Sequence, residues 1–265
     1  MSLLEIADLT VRFGQTTVVD GVSFALEQGE RLGMIGESGS GKSLTALAVI
    51  GLLPEEAGVT GSVKLDGREL LGLPDRAMAK IRGEQLAMVF QEPLTALNPL
   101  MRIGKQLAEP LRLHRGMSAK AARTKAIELA ARVGLPDPDR IVRAFPHQLS
   151  GGQRQRVGIA IALACEPAVL ITDEPTTALD VTVQVEILAL LRDLVDEQGA
   201  SLLFITHDLA VLSSVVSRLM VLARGRLVEQ TDIAALAHGN HDPHTADLLR
   251  AARAAAFPAL GGSDA

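Results

Sequence analysis

The chain has no tryptophan, no tyrosine and one cysteine among its 265 residues. The lone Cys165 excludes an internal disulfide and a multi-cysteine metal cluster formed by this chain alone, which favours a reducing compartment such as the cytoplasm. Six phenylalanines leave few rings that could stack on bases. Because the formal net charge is −5, there is no overall basic surface for nucleic acid, and we expect no nucleic-acid partner.

Long hydrophobic runs are also missing. The longest, at 44–53 and 158–165, are well short of the about 20 residues that cross a bilayer as a helix. The N-terminal residues show neither a basic leader nor a long apolar stretch, so we expect no export signal. With 48% hydrophobic residues, the chain can bury the core of one substantial α/β domain or of a domain with an inserted lobe.

Strand and helix signals alternate along the chain. Three β-like runs (LLEIADLTVRF, TTVVDGVSFALE and RLGMIG) precede a glycine-rich loop, and SLTALAVIGLL then predicts a buried helix that stops at Pro54. Later strand signals lie in GSVKLDG, LAMVFQ, AVLITD, SLLFIT and RLMVLA. Since a helical run separates AVLITD from SLLFIT, the pattern predicts a parallel core sheet. Residues 94–148 carry apolar residues at helical spacing and indicate an inserted helical lobe.

The stretch GESGSGKSL lies between a predicted strand and a predicted helix. Its pattern G-x-x-x-x-G-K-S is typical of a phosphate-binding loop, in which backbone N–H groups and the helix N-terminus surround an anion. The lysine would neutralise the β and γ phosphates, and the serine hydroxyl would bind Mg²⁺. The structural alternative is a glycine-rich turn. The residues expected to hold the nucleotide here are Gly36, Ser38, Gly39, Gly41, Lys42 and Ser43.

Two adjacent carboxylates follow the apolar strand AVLIT. Because side chains alternate along a strand, we expect Asp173 and Glu174 to face different directions and to serve different purposes. Asp173 would hold Mg²⁺ or its waters, and Glu174 would polarise the attacking water as the general base. The alternative is that one of them only caps the following helix.

A second helix N-terminus is predicted at LSGGQRQR. Ser150, Gly151 and Gly152 precede an apolar helix and leave its first turn without bulky side chains. Since one phosphate cradle already exists in the chain, we expect this second one to contact a nucleotide held by another subunit. Two alternatives are an ordinary serine cap and a nucleic-acid contact by Arg154 and Arg156.

Taken together, these motifs resemble those of the nucleotide-binding subunit of an ATP-binding cassette (ABC) transporter. GESGSGKS, LSGGQ, ITDE and ITHD occur in the family's order, and the resemblance covers residues 3–235. It implies an α/β fold with a RecA-like P-loop NTPase core, an N-terminal antiparallel β subdomain and an inserted α-helical subdomain, and it implies ATP and Mg²⁺ as ligands. The implied divisions are a core (1–93 and 162–235), a helical subdomain (94–161) and a C-terminal tail (236–265).

The resemblance also implies roles for residues outside the phosphate loop. Gln91 would contact Mg²⁺ and the lytic water, His207 would hydrogen-bond the γ phosphate, and Gln153 belongs to the signature that meets the second nucleotide. Asp180 would reach across a dimer, and Phe13 would stack on adenine. Read without the family, Gln91 would be a polar strand end and His207 a packed or exposed histidine. Asp180 would be a helix cap, and Phe13 would be a core phenylalanine.

Segments between the motifs, such as FQEPLTALNPLMRIGKQLAEPL, resemble the dipeptide, oligopeptide and nickel importer branch. This implies two such ATPases, alike or paired with a sister chain, on the cytoplasmic face of the inner (plasma) membrane. They would lie beneath two membrane permeases that an extracytoplasmic binding protein supplies. Residues 92–116 would receive the permease's cytoplasmic helix.

Two further interpretations remain open. His238, His241 and His244 suggest a metal site, although Asp242 and Pro243 fit better as the cap and first residue of a terminal helix. A different functional class is a soluble ABC ATPase of an enzyme complex, such as one that breaks down phosphonates. The proteins that copurify with the chain would distinguish the two classes.

Overall fold

The computed structural model describes residues 2–91, 97–177, 179–237 and 241–256. Every residue predicted above for the nucleotide site lies within these ranges. His238 and the first part of the predicted permease-binding segment, residues 92–96, lie outside them.

Within the described residues, ten strands form two sheets. They are β1 (Ser2–Phe13), β2 (Thr16–Glu27), β3 (Arg31–Ile35), β4 (Ala57–Leu65), β5 (Arg68–Glu69), β6 (Leu86–Val89), β7 (Val169–Asp173), β8 (Ser201–Thr206), β9 (Arg218–Ala223) and β10 (Arg226–Asp232). The first sheet is antiparallel with the order β2-β1-β4-β5, and the second has the order β10-β9-β3-β8-β7-β6.

The described helices fill the segments between these strands. They are α1 (Lys42–Ile50), α2 (Asp75–Ile81), α3 (Ile103–His114), α4 (Ala119–Arg132), α5 (Pro138–Ile141), α6 (Gly151–Ala162), α7 (Val181–Gln198), α8 (Leu209–Val215) and α9 (Pro243–Ala256), with 3-10 turns at Pro146–Gln148 and Ile233–Ala237. None of these described helices is both long and apolar enough to cross a membrane.

The predicted parallel core sheet is confirmed from β9 to β6. Its central strands are buried along almost their whole length, which explains why they appear in the sequence as continuous apolar runs. The antiparallel strand β10 was not predicted. It turns back from β9 through Arg224 and Gly225, both with positive φ, as a tight hairpin requires.

Alternate residues of the parallel strands enter two hydrophobic clusters. Leu170, Leu202 and Phe204 pack with helices of the 103–162 region, whereas Ile171 and Leu203 pack with α1 and the antiparallel sheet. The period of two residues assigns one face of the sheet to each cluster. The subdomain bounds at 94 and 161 stay a prediction.

Helix α1 ends earlier than predicted. The sequence favoured a stop at Pro54, but the last helical residue is Ile50. Gly51 adopts a left-handed conformation (φ 65°), and its N–H donates to Ala48 O, while that of Leu52 donates to Leu47 O. A glycine that satisfies the last carbonyls in this way ends the helix before the proline is reached.

Arg218 joins the two sheets. From the first position of β9, its guanidinium donates to both carboxylate oxygens of Glu30 (2.7 and 3.1 Å) and to the carbonyl oxygen of Ala25 on β2 (2.6 Å). The Glu30 side chain is only 15% exposed, so little water replaces the guanidinium if it is removed.

We therefore expect Arg218→Met to lower the free energy of unfolding by about 2 kcal/mol, because it leaves a largely buried carboxylate unpaired. Arg31→Met is the matched control, since Arg31 is equally exposed (29%) but pairs with Asp196, which is 58% exposed. Its expected cost is less than about 1 kcal/mol. Urea unfolding at neutral pH measures both, and equal costs would show that Arg218 does not join the sheets.

Candidate functional site

The phosphate loop connects β3 to α1 and depends on its glycines. A Cβ atom on Gly36 would lie 2.2 Å from the carbonyl oxygen of Leu222, which backbone atoms cannot tolerate. Gly39 and Gly41 have φ values of 79° and 101°, which other residues rarely adopt. Ser38 is exposed at the rim of the loop. The loop therefore has a fixed curved shape with little side-chain bulk.

The buried side chain of Lys42 donates hydrogen bonds to the backbone of this loop. Its Nζ donates to the carbonyl oxygens of Gly36 (2.7 Å) and Glu37 (2.9 Å), and the residue is only 6% exposed. Burial lowers the pKa of Lys42, while the charges of Glu174 and Asp173 raise it, and the net direction is down. Within the described ranges Lys42 forms no direct ion pair, so a bound phosphate would supply the missing negative charge.

Asp173 ends β7 in a buried position. Its Oδ1 is buried and has no hydrogen-bond partner among the described residues. Burial raises the pKa of Asp173, and this outweighs the lowering by a hydrogen bond with Ser43 and by the charge of Lys42. A buried carboxylate oxygen without a partner is the kind of group that a cation or its bound water satisfies.

The predicted Mg²⁺ ligands fit that ion chemically. The Ser43 hydroxyl, the Asp173 carboxylate and the Gln91 amide all offer oxygen, the donor that Mg²⁺ prefers. Among the described residues there is no group of three or more His, Cys, Asp or Glu side chains that could hold a metal ion. That finding also covers His241 and His244, which instead contact the carboxylates of Glu229 and Asp242.

Glu174 follows β7 in a left-handed conformation (φ 46°), which is uncommon for a residue with a side chain. Its N–H donates to the carbonyl oxygen of Ile205. The expectation that Asp173 and Glu174 point in different directions rested on strand alternation, but the strand ends at Asp173 and the turn of the backbone at Glu174 orients its side chain. Such strain is commonly found at functional sites.

Three side chains meet the Glu174 carboxylate. Thr177 Oγ1 donates to Oε2 (2.7 Å), His207 Nδ1 lies 2.9 Å from Oε1, and Gln91 Nε2 lies 3.5 Å from Oε2. The structure thus brings together Gln91, Glu174 and His207, which the sequence predicted separately. It adds Thr177, which our sequence analysis missed although a threonine three residues after the acid was a visible signal.

This surrounding also controls the charge of Glu174. Burial raises its pKa, but the hydrogen bonds from Thr177 and His207 and the charges of His207 and Lys42 together outweigh burial and lower it. The carboxylate is therefore ionised at neutral pH and able to accept a proton.

The LSGGQ segment forms its own cap. Ser150 Oγ accepts the N–H of Gln153 (3.3 Å), and Gln153 Oε1 accepts the N–H of Ser150 (3.0 Å). This capping box begins α6, as the serine-cap alternative described. Gly152 is needed for close packing, because a Cβ there would lie 2.7 Å from Val183. No hydrogen bond in the described ranges links Ser150, Gly151 or Gly152 to the phosphate loop.

Two other predicted residues have structural roles in the single chain. Asp180 caps α7, where its Oδ1 accepts the N–H of Val183 (3.0 Å). Phe13 ends β1 and is half-buried, packed against the hydrophobic cluster of the antiparallel sheet. Their nucleotide contacts stay predictions. At α9, the predicted cap is present, since Asp242 Oδ1 accepts the N–H of His244.

The site combines a phosphate loop of curved backbone, the buried Lys42 and the ionised Glu174. These features define the site of a P-loop nucleotide-binding protein. Residues 19–177 match the family model described as ABC transporter. The chain belongs to the ABC transporter family.

Relatives and solved structures agree with that assignment. The oligopeptide transport ATP-binding protein OppD of Mycobacterium tuberculosis (strain ATCC 25618 / H37Rv) is 51% identical over 93% of this chain and 41% of its own length. OppD of Bacillus subtilis (strain 168) is 43% identical over 98% of this chain and 73% of its own. This chain thus spans about two fifths of the mycobacterial relative.

Among solved structures, an ATP-binding cassette determined as a dimer in a post-hydrolysis state, bound to ADP and Pi, has a TM-score of 0.76 at 30% identity. The match covers 89% of this chain and 100% of that one.

Because Thr177 lowers the pKa of Glu174, Thr177→Val should raise that pKa in the nucleotide-free chain. A depressed pKa means that the ionised carboxylate adds stability above the pKa of the unfolded state and loses it as the pH falls through the folded pKa. The variant should therefore lose this contribution at a higher pH. NMR titration of the glutamate side-chain carboxyl carbon measures the pKa, and Thr182→Val, at an exposed position of α7, is the control. An unchanged titration would contradict the assigned hydrogen bond.

Proposed function

We propose that this chain is the ATP-hydrolysing subunit of an ABC importer for peptides. The observation that carries the proposal is the convergence of Gln91, Thr177 and His207 on the ionised Glu174, beside a phosphate loop that holds a buried lysine. A phosphate loop alone would support nucleotide binding, whereas an ionised carboxylate beside it supports nucleotide hydrolysis.

The geometry suggests a division of labour. The loop amides and Lys42 hold the phosphates of ATP, and Lys42 exchanges its carbonyl partners for phosphate oxygens. Glu174 accepts a proton from water as the water oxygen attacks the γ phosphorus and the bond to ADP breaks. His207 and Gln91 hold the carboxylate and the terminal phosphate in position. Ser43, Asp173 and Gln91 would hold Mg²⁺, which supplies positive charge to the phosphate oxygens.

We further propose that the active form is a pair of such chains, alike or with a sister chain. Ser150 and Gly151 are exposed, and so are Val181 (77%) and Val185 (62%) on the neighbouring helix α7. Exposed valines next to an open helix N-terminus suit contact with a second cassette. The similar cassette solved as a dimer supports this arrangement. In it, Ser150, Gly151, Gly152 and Gln153 would contact the partner's ATP, Asp180 would reach across the interface, and Phe13 would stack on adenine.

The membrane partners are proposed to be two permeases, supplied by an extracytoplasmic binding protein. An apolar groove of about 390 Å³ lies between the end of α1, β6, α3 and α6, with Leu52, Met88, Phe90 and Leu113 among its lining. It overlaps the segment predicted to receive a permease helix and would hold the chain peripherally at the cytoplasmic face of the membrane. The peptide class follows the names of the relatives. No observation favours the soluble enzyme-complex alternative.

Glu174→Gln should keep ATP binding and lower kcat by about 100-fold or more, because the amide cannot accept the proton. Phosphate release measures turnover, and fluorescent-nucleotide titration measures binding. Lys42→Ala is the contrasting control, in which binding itself should weaken. Near-normal hydrolysis by Glu174→Gln would remove Glu174 from the role of general base.

Ser150→Arg should leave nucleotide binding by the isolated chain unchanged but prevent the ATP-dependent pairing of two chains, because a large cation would fill the open helix end. The Glu174→Gln form provides the background for this experiment, since ATP persists in it. Light scattering with ATP should show pairs for Glu174→Gln and single chains for the double variant. Pairing by both forms would argue against a shared site.

A further inference from the structure

A second, larger groove of about 800 Å³ lies on the outer side of helix α3. We call it the basic groove. It is bounded by α3, by the start of α4 and by the two residues that follow α5. Neither the phosphate loop nor Glu174 and its partners Gln91, Thr177 and His207 contribute a residue to it. The basic groove is therefore separate from the nucleotide site.

Positive charge surrounds the basic groove. Its lining contains one carboxylate, Glu109, and five cationic side chains: Arg102, Lys105, Arg112, Arg123 and Arg143. Over the described ranges, none of these five forms an ion pair with a carboxylate. Other arginines of this acidic chain, such as Arg82 and Arg156, do pair with carboxylates. Arg102 lies over the ring of Phe145 (5.5 Å), but no carboxylate of the described residues neutralises it. The concentration of cations without a carboxylate partner therefore favours an anionic occupant.

The basic groove is preformed and has apolar surface between its charges. Met101, Ala108 and Val142 contribute this surface. At one end the N–H groups of Ile103 and Gly104 donate to the carbonyl oxygens of Ala144 and Val142 (both 2.9 Å). A Cβ on Gly104 would lie 2.7 Å from Val142 O, so the two walls are in direct backbone contact. An occupant would meet a fixed surface that combines apolar and cationic parts.

The basic groove adjoins the apolar groove proposed to receive a permease helix. Glu109 and Leu113 of α3 line both. Leu113 is 72% exposed on the ridge between them. A partner that covered this leucine would extend from one groove into the other, and a single partner for both is the economical arrangement.

We infer that the basic groove binds an acidic, amphipathic cytoplasmic segment of the membrane permease, in addition to the helix held by the apolar groove. This inference rests on the proposed transporter function. A protein segment fits better than a membrane surface, because the cations surround a concavity with apolar walls. A flat layer of anionic headgroups would reach only its rim.

The first test compares charge reversals in the full chain. Arg112→Glu/Arg123→Glu changes the basic groove, and Arg68→Glu/Arg76→Glu makes the same charge change at exposed cations around α2. Binding is measured to the two permeases of a peptide importer from the same organism, held in nanodiscs of neutral phosphatidylcholine. We expect about tenfold weaker binding for the groove variant than for its control, with a steep salt dependence and with unchanged ATP hydrolysis by the isolated chain.

The outcomes separate the two proposals. Equal binding by the unaltered chain and the groove variant would overturn the basic groove alone, whereas no binding by the unaltered chain would overturn the transporter function as well. A photo-crosslinking residue at position 123 should attach to an acidic permease segment, and its failure to do so overturns the inference. Binding to phosphatidylglycerol vesicles without permease, lost only in the groove variant, would assign the groove to the membrane instead.

Discussion

The parallel pairing of four strands is the constraint on which the site depends. Strands β6, β7, β8 and β3 run in the same direction, so their carboxyl ends lie at one edge of the sheet. The register matches Ile35 to Thr206 and Asp173 to Ile205. Consequently the segments that follow these strands, including the phosphate loop and residues 91, 174 and 207, meet although up to 171 positions separate them in the sequence. Edges of this kind are where ligands bind in open α/β sheets.

At that edge, the buried charged side chains are not neutralised by direct ion pairs within the described part of the chain. Lys42 and Asp173 are both buried, and burial shifts the pKa of each toward its neutral form. Glu174 is kept ionised by hydrogen bonds from Thr177 and His207 and by the charges of His207 and Lys42, which together outweigh its burial. A site whose buried cation lacks a direct partner, and whose buried carboxylate has an unused oxygen, is prepared for an anion and a cation together. Magnesium and a nucleotide phosphate are such a pair.

The fold could be predicted where local chemistry determines the structure. Apolar runs predicted the buried strands, and Ser118, Asp180 and Asp242 mark helix starts through the caps that their side chains make. The phosphate loop was predictable because its glycines are a local requirement. The end of α1 was not, since Gly51 and Pro54 offered competing stops and only the chain geometry selects between them.

Other features arise from distant contacts. Strand β10 has mixed burial and therefore no clear alternation in the sequence. The role of Thr177 depends on the left-handed conformation of Glu174. Because this residue is not a glycine, the sequence gives no signal for that conformation. Both grooves are formed by residues from several helices, and the ion pairing that distinguishes Arg112 from Arg82 requires the folded chain.

The capping box at α6 has a consequence for how the LSGGQ segment can act. A hydroxyl group has lone pairs and one hydrogen, and the Ser150 oxygen already accepts the amide of Gln153. Its hydrogen remains available, and a bond in which the oxygen accepts makes that hydrogen a better donor. The exposed serine hydroxyl is therefore available as a hydrogen-bond donor. The observed helix cap and the proposed contact with a partner's ATP are therefore compatible, because the cap uses the Ser150 oxygen and the contact would use its hydrogen.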